Sequence, residues 1–132
     1  MGLVRRSLFV LAAAGVFAPA GAHHSFAMYD LEHPTTVEGV VREFHWVNPH
    51  SSVTLVKGAP GAAQEVWVIE MTSPGNLTRA GWTRKSLKPG DRVRVEFIPL
   101  RSGKHGGGFR SVTFLDTGQT LTARLVDLEK RN

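Results

Sequence analysis

Six histidines and no cysteine set the reactive chemistry open to this 132-residue chain. The lack of thiols removes disulfides, cysteine-based zinc sites, iron–sulfur clusters and thiol catalysis. Two of the histidines, His23 and His24, directly follow Ala18-Pro19-Ala20-Gly21-Ala22, which offers two small-x-small cleavage sites. Cleavage after Ala22 leaves a free amine on His23, which chelates a metal together with one ring nitrogen. Cleavage after Ala20 leaves Gly21-Ala22-His23, in which the amine, two backbone amides and the imidazole form a square-planar nitrogen set. Both arrangements suit Cu(II), which prefers tetragonal nitrogen ligation and heads the divalent affinity order. The terminal amine must lose a proton to bind, and with a reference pKa of about 8 its affinity for metal falls in acid.

The remaining histidines lie in the body of the chain. Asn48-Pro49 is turn chemistry between two β-branched and aromatic runs, and a two-residue loop there makes residues summing to 97 face one another. Phe44, Trp46, Val53 and Leu55 then share a core face. His45, His50, Glu43 and Ser52 share the other, with His45 and His50 as diagonal neighbours within reach of one ion. His105, beside Lys104 in the glycine-rich run Ser102–Gly108, belongs to a second loop. The expected metal ligands are therefore His23, His24 and His50, followed by His45 and His105, while His33 next to Pro34 reads as a loop residue.

The elements that must carry these side chains are mostly strands. Residues 36–47 form a long first strand that Gly39 is able to bend, 51–56 a second and 65–71 a third. Ser73-Pro74 opens a short helix with serine as N-cap, proline at the first helical position, Leu77 and Ala80 as its apolar side and Gly81 as its stop. Arg92-Val93-Arg94-Val95-Glu96-Phe97-Ile98 alternates cleanly as a half-buried fourth strand, and Phe109–Leu115 is the fifth. Five strands with one helix between the third and fourth is the order of an OB-like Greek-key barrel, with a β-sandwich or an SH3-like barrel as the alternative. In an OB-fold, ligands gather on the strand 2–3 face and at the loops joining strands 1–2 and 4–5, where His50 and His105 fall.

The N-terminus carries Arg5 and Arg6, then an apolar run over 8–18, then small residues, the tripartite pattern of a secretory signal. The run is too short to span a bilayer, so no stable membrane span is expected once it is removed. Arg5-Arg6-Ser7-Leu8-Phe9 also has a partial twin-arginine pattern, although the Sec route fits better. The expected organisation is a signal over 1–22, a leader over 23–35, a barrel over 36–122 and a tail over 123–132, in a periplasmic or secreted monomer. Removing Arg5 and Arg6 lowers the net charge from +5 to +3, which fits an anionic partner and ordinary solubility alike. Hydrophobic residues at 42 % with charged residues at 20 % suit one small globular domain and exclude collagen, coiled coil and a largely disordered polymer.

Four segments together, Ala22-His23-His24-Ser25-Phe26, Val37-Glu38-Gly39, Trp46-Val47-Asn48-Pro49-His50 and Gly81-Trp82-Thr83-Arg84-Lys85-Ser86-Leu87-Lys88-Pro89-Gly90-Asp91, resemble a family of small secreted bacterial proteins known as domain of unknown function 6152. The resemblance covers nearly all of the chain after residue 22. It implies export and the extent of the domain, and it implies no reaction.

Other chemistries find less in the residues. Arg79, Arg84, Lys85, Lys88, Arg92 and Arg94 surround Trp82 in the manner of a single-strand binder, but an exported protein meets little nucleic acid. No nucleophile motif, phosphate loop or evident carboxylate pair is present, and Glu43, Glu70 and Asp91 are scattered, so no enzyme is expected. Trp46 and Trp67 are expected to fill the barrel. The reading is a small exported binding protein that holds Cu(II) through its N-terminal histidines and a barrel histidine. Its alternative is a metal-free adaptor that binds an envelope protein or a glycan through the barrel loops.

Overall fold

The computed structural model describes residues 26–123. A 3-10 turn, Phe26–Met28, precedes β1 (Thr35–His45), β2 (Ser52–Lys57), β3 (Glu65–Glu70), α1 (Pro74–Arg79), β4 (Arg92–Pro99), β5 (Gly106–Phe114) and the short β6 (Thr120–Thr122). The sheet runs β3-β2-β1-β4-β5-β6, and a parallel pairing of β3 with β5 closes the first five strands into a barrel. The fold is thus the expected five-stranded barrel with its helix between strands 3 and 4. Among the described residues no helix is long and apolar enough to cross a membrane.

Closure depends on residues whose sequence suggests a loop. Gly106, Gly107 and Gly108 are strand residues, paired with Val68, Ile69 and Glu70 on one side and running alongside the end of β4 on the other. A Cβ on Gly107 would sit 2.1 Å from the Ile98 carbonyl oxygen, and one on Gly106 would sit 2.8 Å from that of Val68. Glycine is required here because two backbones approach the third closely. The expected fifth strand, 109–115, therefore starts three residues too late.

β1 is long because it serves two partners. Thr35–Val40 pair with β4 and Val40–His45 with β2, so the strand crosses from one side of the barrel to the other around Gly39. A Cβ on Gly39 would lie 2.8 Å from the Val56 carbonyl oxygen, which explains the glycine at the crossing. The expected register holds where Glu43, Phe44 and His45 face Thr54, Val53 and Ser52. It then shifts by one at Arg42, an extra residue between Val41 and Glu43, so that Val41 faces Leu55. The loop between β1 and β2 spans 46–51 rather than two residues and contains a cis Asn48–Pro49 peptide.

Alternation along β4 places Val93, Val95 and Phe97 in the core beside Val53, Leu55, Ile69, Phe109 and Val112. The helix behaves as its sequence requires. Ser73 Oγ accepts from the Asn76 backbone amide at 3.3 Å, Pro74 fills the first turn, and Gly81 follows with a φ of +86°. Leu77 is fully buried, which contributes about 2 kcal/mol, whereas Ala80 is exposed and takes no part in the apolar side. Trp82 is buried on the same core and donates its indole N–H to the Thr122 carbonyl at 2.9 Å. It is therefore a core residue and offers no face for a base to stack on. Trp46 and Trp67 are partly buried against the core, as expected.

Candidate functional site

The most organised polar cluster lies where the loop before β2, the end of β3 and the segment before β1 meet. Val66, Val68 and Glu70 alternate with Trp67 and Ile69, so Glu70 points away from the core side of β3. Its two carboxylate oxygens have different partners. Tyr29 donates its hydroxyl to Oε2 at 2.8 Å, and His50 Nδ1 is hydrogen-bonded to Oε1.

Tyr29 reaches Glu70 because the preceding segment is laid onto the barrel by backbone contacts. Tyr29 bridges Leu100, the Asp30 amide donates to the Pro99 carbonyl at 2.8 Å, and the Arg101 amide donates to the Met28 carbonyl at 2.9 Å. Residues 26–35 of the expected leader are thus partly built onto the barrel. Tyr29 is only 4 % exposed, and burial together with the hydrogen bond to Glu70 pushes its phenol well above the ordinary tyrosine range.

His50 is positioned by the residue after it. The Ser51 amide donates to the Thr72 carbonyl and its own carbonyl accepts from the Met71 amide, which ties the loop to the chain leaving β3. Ser51 is fully buried, and among the described residues its hydroxyl has no hydrogen-bond partner. A carboxylate can only accept, so the proton of a neutral His50 ring sits on Nδ1 and its lone pair on Nε2. A histidine held in this way by a carboxylate is a better oriented metal ligand.

The other candidates have separate partners. His45 turns along its own strand to Glu43, with Nε2 at 2.9 Å from Oε2, and both side chains are exposed. The register places His45 opposite Ser52 and Ser52 opposite Glu70, so His45 shares the outer face with Glu70 but lies two strands away, about 10 Å. His45 and His50, expected as diagonal neighbours within reach of one ion, are each held by a different carboxylate, because β2 starts only at Ser52 and His50 lies in the loop before it, beside Glu70 of β3. His105 stacks on Trp67, with ring centroids 4.5 Å apart and planes 14° from parallel. Trp67 donates its N–H to Glu65 at 3.0 Å, and this bond, with the nearby Lys57 and His105, holds the Glu65 carboxyl below its usual range. His33 is paired with Asp30 at 3.0 Å, and that hydrogen bond lowers the Asp30 carboxyl.

Among the described residues no three His, Cys, Asp or Glu side chains are gathered to hold a metal ion. His23 and His24 lie outside the described residues. Two members of the cluster, Tyr29 and Glu70, escape sequence reasoning. The alternation of β3 puts Glu70 on the outer face, and that was the available signal. For Tyr29 there is none, since its contact depends on where a non-repeating segment returns.

No curated protein and no solved structure matches the chain. Residues 10–109 match the profile of a family of unknown function, DUF6152, which takes in β1 to β4 and the start of β5. The chain belongs to that family.

Proposed function

We propose that the protein is an exported binding protein, without catalytic activity, that holds Cu(II) between its N-terminal histidines and His50. The observation that carries this reading is the double use of Glu70, which orients His50 through one oxygen and anchors Tyr29 through the other. His24 precedes Tyr29 by five residues, a tether of at most about 18 Å. A tether of this length would let the amine and imidazoles of a terminus at His23 reach His50 Nε2 at high effective concentration. Two or three terminal nitrogens with one barrel imidazole make a nitrogen-rich set of the kind Cu(II) prefers.

The test is a Cu(II) titration with electron paramagnetic resonance on protein exported and processed by a bacterial host, its terminus confirmed by intact mass. One equivalent bound with nitrogen hyperfine structure, and loss of one nitrogen in His50→Ala, is the expected result. An identical affinity and spectrum in His50→Ala removes the barrel from the site. Absence of any site in correctly processed protein overturns the reading.

A further inference from the structure

Arg42 differs from the arginines of the neighbouring strands. Arg92, Arg94 and Arg110 each lie within 3.5 Å of a carboxylate, from Asp116, Glu38 and Glu96 respectively. Arg42 is exposed, and among the described residues no carboxylate lies within ion-pairing distance of it. It is also the extra residue at the register shift in β1, where the bulge breaks the alternation that would otherwise set its direction. That residue borders a groove of about 450 Å³ lined otherwise by Val40, Val41, Val56, Pro60 and Pro89, with Gly58 and the polar Gln64 completing it. The groove lies at the far end of β2 from His50, roughly 17 Å away along the strand, and is independent of the proposed copper site.

The groove has mostly aliphatic walls, a volume within the range of small-molecule sites, and one guanidinium at its edge with no carboxylate partner among the described residues. A guanidinium binds a carboxylate through two parallel hydrogen bonds, and the valine and proline surfaces gain from covering an alkyl chain. Val40 is 42 % exposed, and such a chain would cover it. From this pairing of charge and apolar wall we infer that the groove binds a free medium-chain fatty carboxylate, with the headgroup on Arg42 and the chain along Val40, Val56 and Pro89.

The probe is decanoate below its micelle concentration, added to the full processed chain and followed by amide chemical shifts. Saturable shifts confined to the amides of 40–42, 56–64 and the two neighbours of Pro89, Lys88 and Gly90, are expected. Decanol, which has the chain without the charge, should bind at least tenfold more weakly, as should decanoate with Arg42→Gln, while Arg42→Lys should retain part of the affinity. Equal binding of decanol and decanoate, equal binding by Arg42→Gln, or shifts elsewhere in the barrel overturn the inference. Binding to anionic phospholipid vesicles without binding to free decanoate also overturns it, by making the groove a membrane contact. The decanol comparison uses the unmodified protein, so the test holds even if a variant folds poorly.

Discussion

Tyr29 and His50, which belong to different segments on either side of β1, are held by the two oxygens of the same carboxylate, Glu70. Each partner therefore helps to fix where the other is found. Removing Glu70 frees both at once, whereas removing Tyr29 leaves His50 with its acceptor.

Tyr29 is the only tyrosine in the chain, so its ionisation can be read without assignment from the ultraviolet difference absorbance of tyrosinate. Its folded-state pKa is raised above the ordinary value of 10.0, by burial first and then by the bond to Glu70. The fold therefore holds the phenolic proton more tightly than the unfolded chain does. The resulting stability is fully present below about pH 10 and is lost as pH rises from there toward the folded value. Titration of the native protein should show a midpoint above 10 that returns to the ordinary value in denaturant. Tyr29→Phe should cost about 1 kcal/mol at neutral pH and flatten the fall of Tm above pH 10. A native midpoint at or below 10 contradicts this account.

Glu70→Gln tests orientation with little change of shape. The amide oxygen can still accept from Tyr29, but its NH2 group facing His50 Nδ1 can only donate. The ring proton then moves to Nε2, and the lone pair proposed to meet the metal is lost. Cu(II) affinity should fall about 10- to 100-fold, with melting temperature nearly unchanged. Unaltered affinity in Glu70→Gln, beside a loss in His50→Ala, would show that His50 binds without help from the carboxylate.

Gly107→Ala should be among the most damaging single-methyl changes available. The added carbon meets the Ile98 backbone and Phe97 Cδ2 at 2.6 Å, so two strands must separate to admit it. A loss of about 3 kcal/mol is expected from urea unfolding. Gly75→Ala, whose new Cβ would have nothing nearer than 3.8 Å, should instead be neutral or stabilise α1 by roughly 0.5 kcal/mol. Similar effects at the two positions would refute the close-approach argument.

Ser51 offers the opposite case, a polar group whose removal should help. Its hydroxyl is fully buried and has no hydrogen-bond partner among the described residues, so it carries a desolvation cost with no return. Ser51→Ala should raise stability by about 1 kcal/mol. A loss of stability on thermal melting would mean that the hydroxyl does have a partner in solution.

Much of this fold is written locally. The alternation over 92–98 and the serine, proline and glycine around α1 each act within a few residues, and both elements stand where those signals put them. Gly106, Gly107 and Gly108 could not be recognised as strand in the same way. Their reason for being glycine is the Val68 and Ile98 backbones, which arrive from distant parts of the chain. The same limit applies to the site. His50 stood out by residue type and turn position, but the choice of Glu70 over Glu43 as its partner depends on a six-residue loop and a strand that starts at Ser52. The bulge at Arg42 leaves no mark in the β1 sequence beyond a break in alternation.

The parallel ladder that completes the barrel has only three residue pairs, against six between β2 and β3, and all three of its β5 members are glycines with no side chain to lock them. A short seam of this kind is where sub-global opening should begin, ahead of loss of the core. Glu70 is one of the seam residues, paired with Gly108. Unzipping the seam therefore also displaces the carboxylate that holds Tyr29 and His50, so the polar cluster persists only while the barrel stays shut. Amide hydrogen exchange at 68–70 and 106–108 would report both events as one rate, and a ligand that engages His50 should slow exchange across the whole seam.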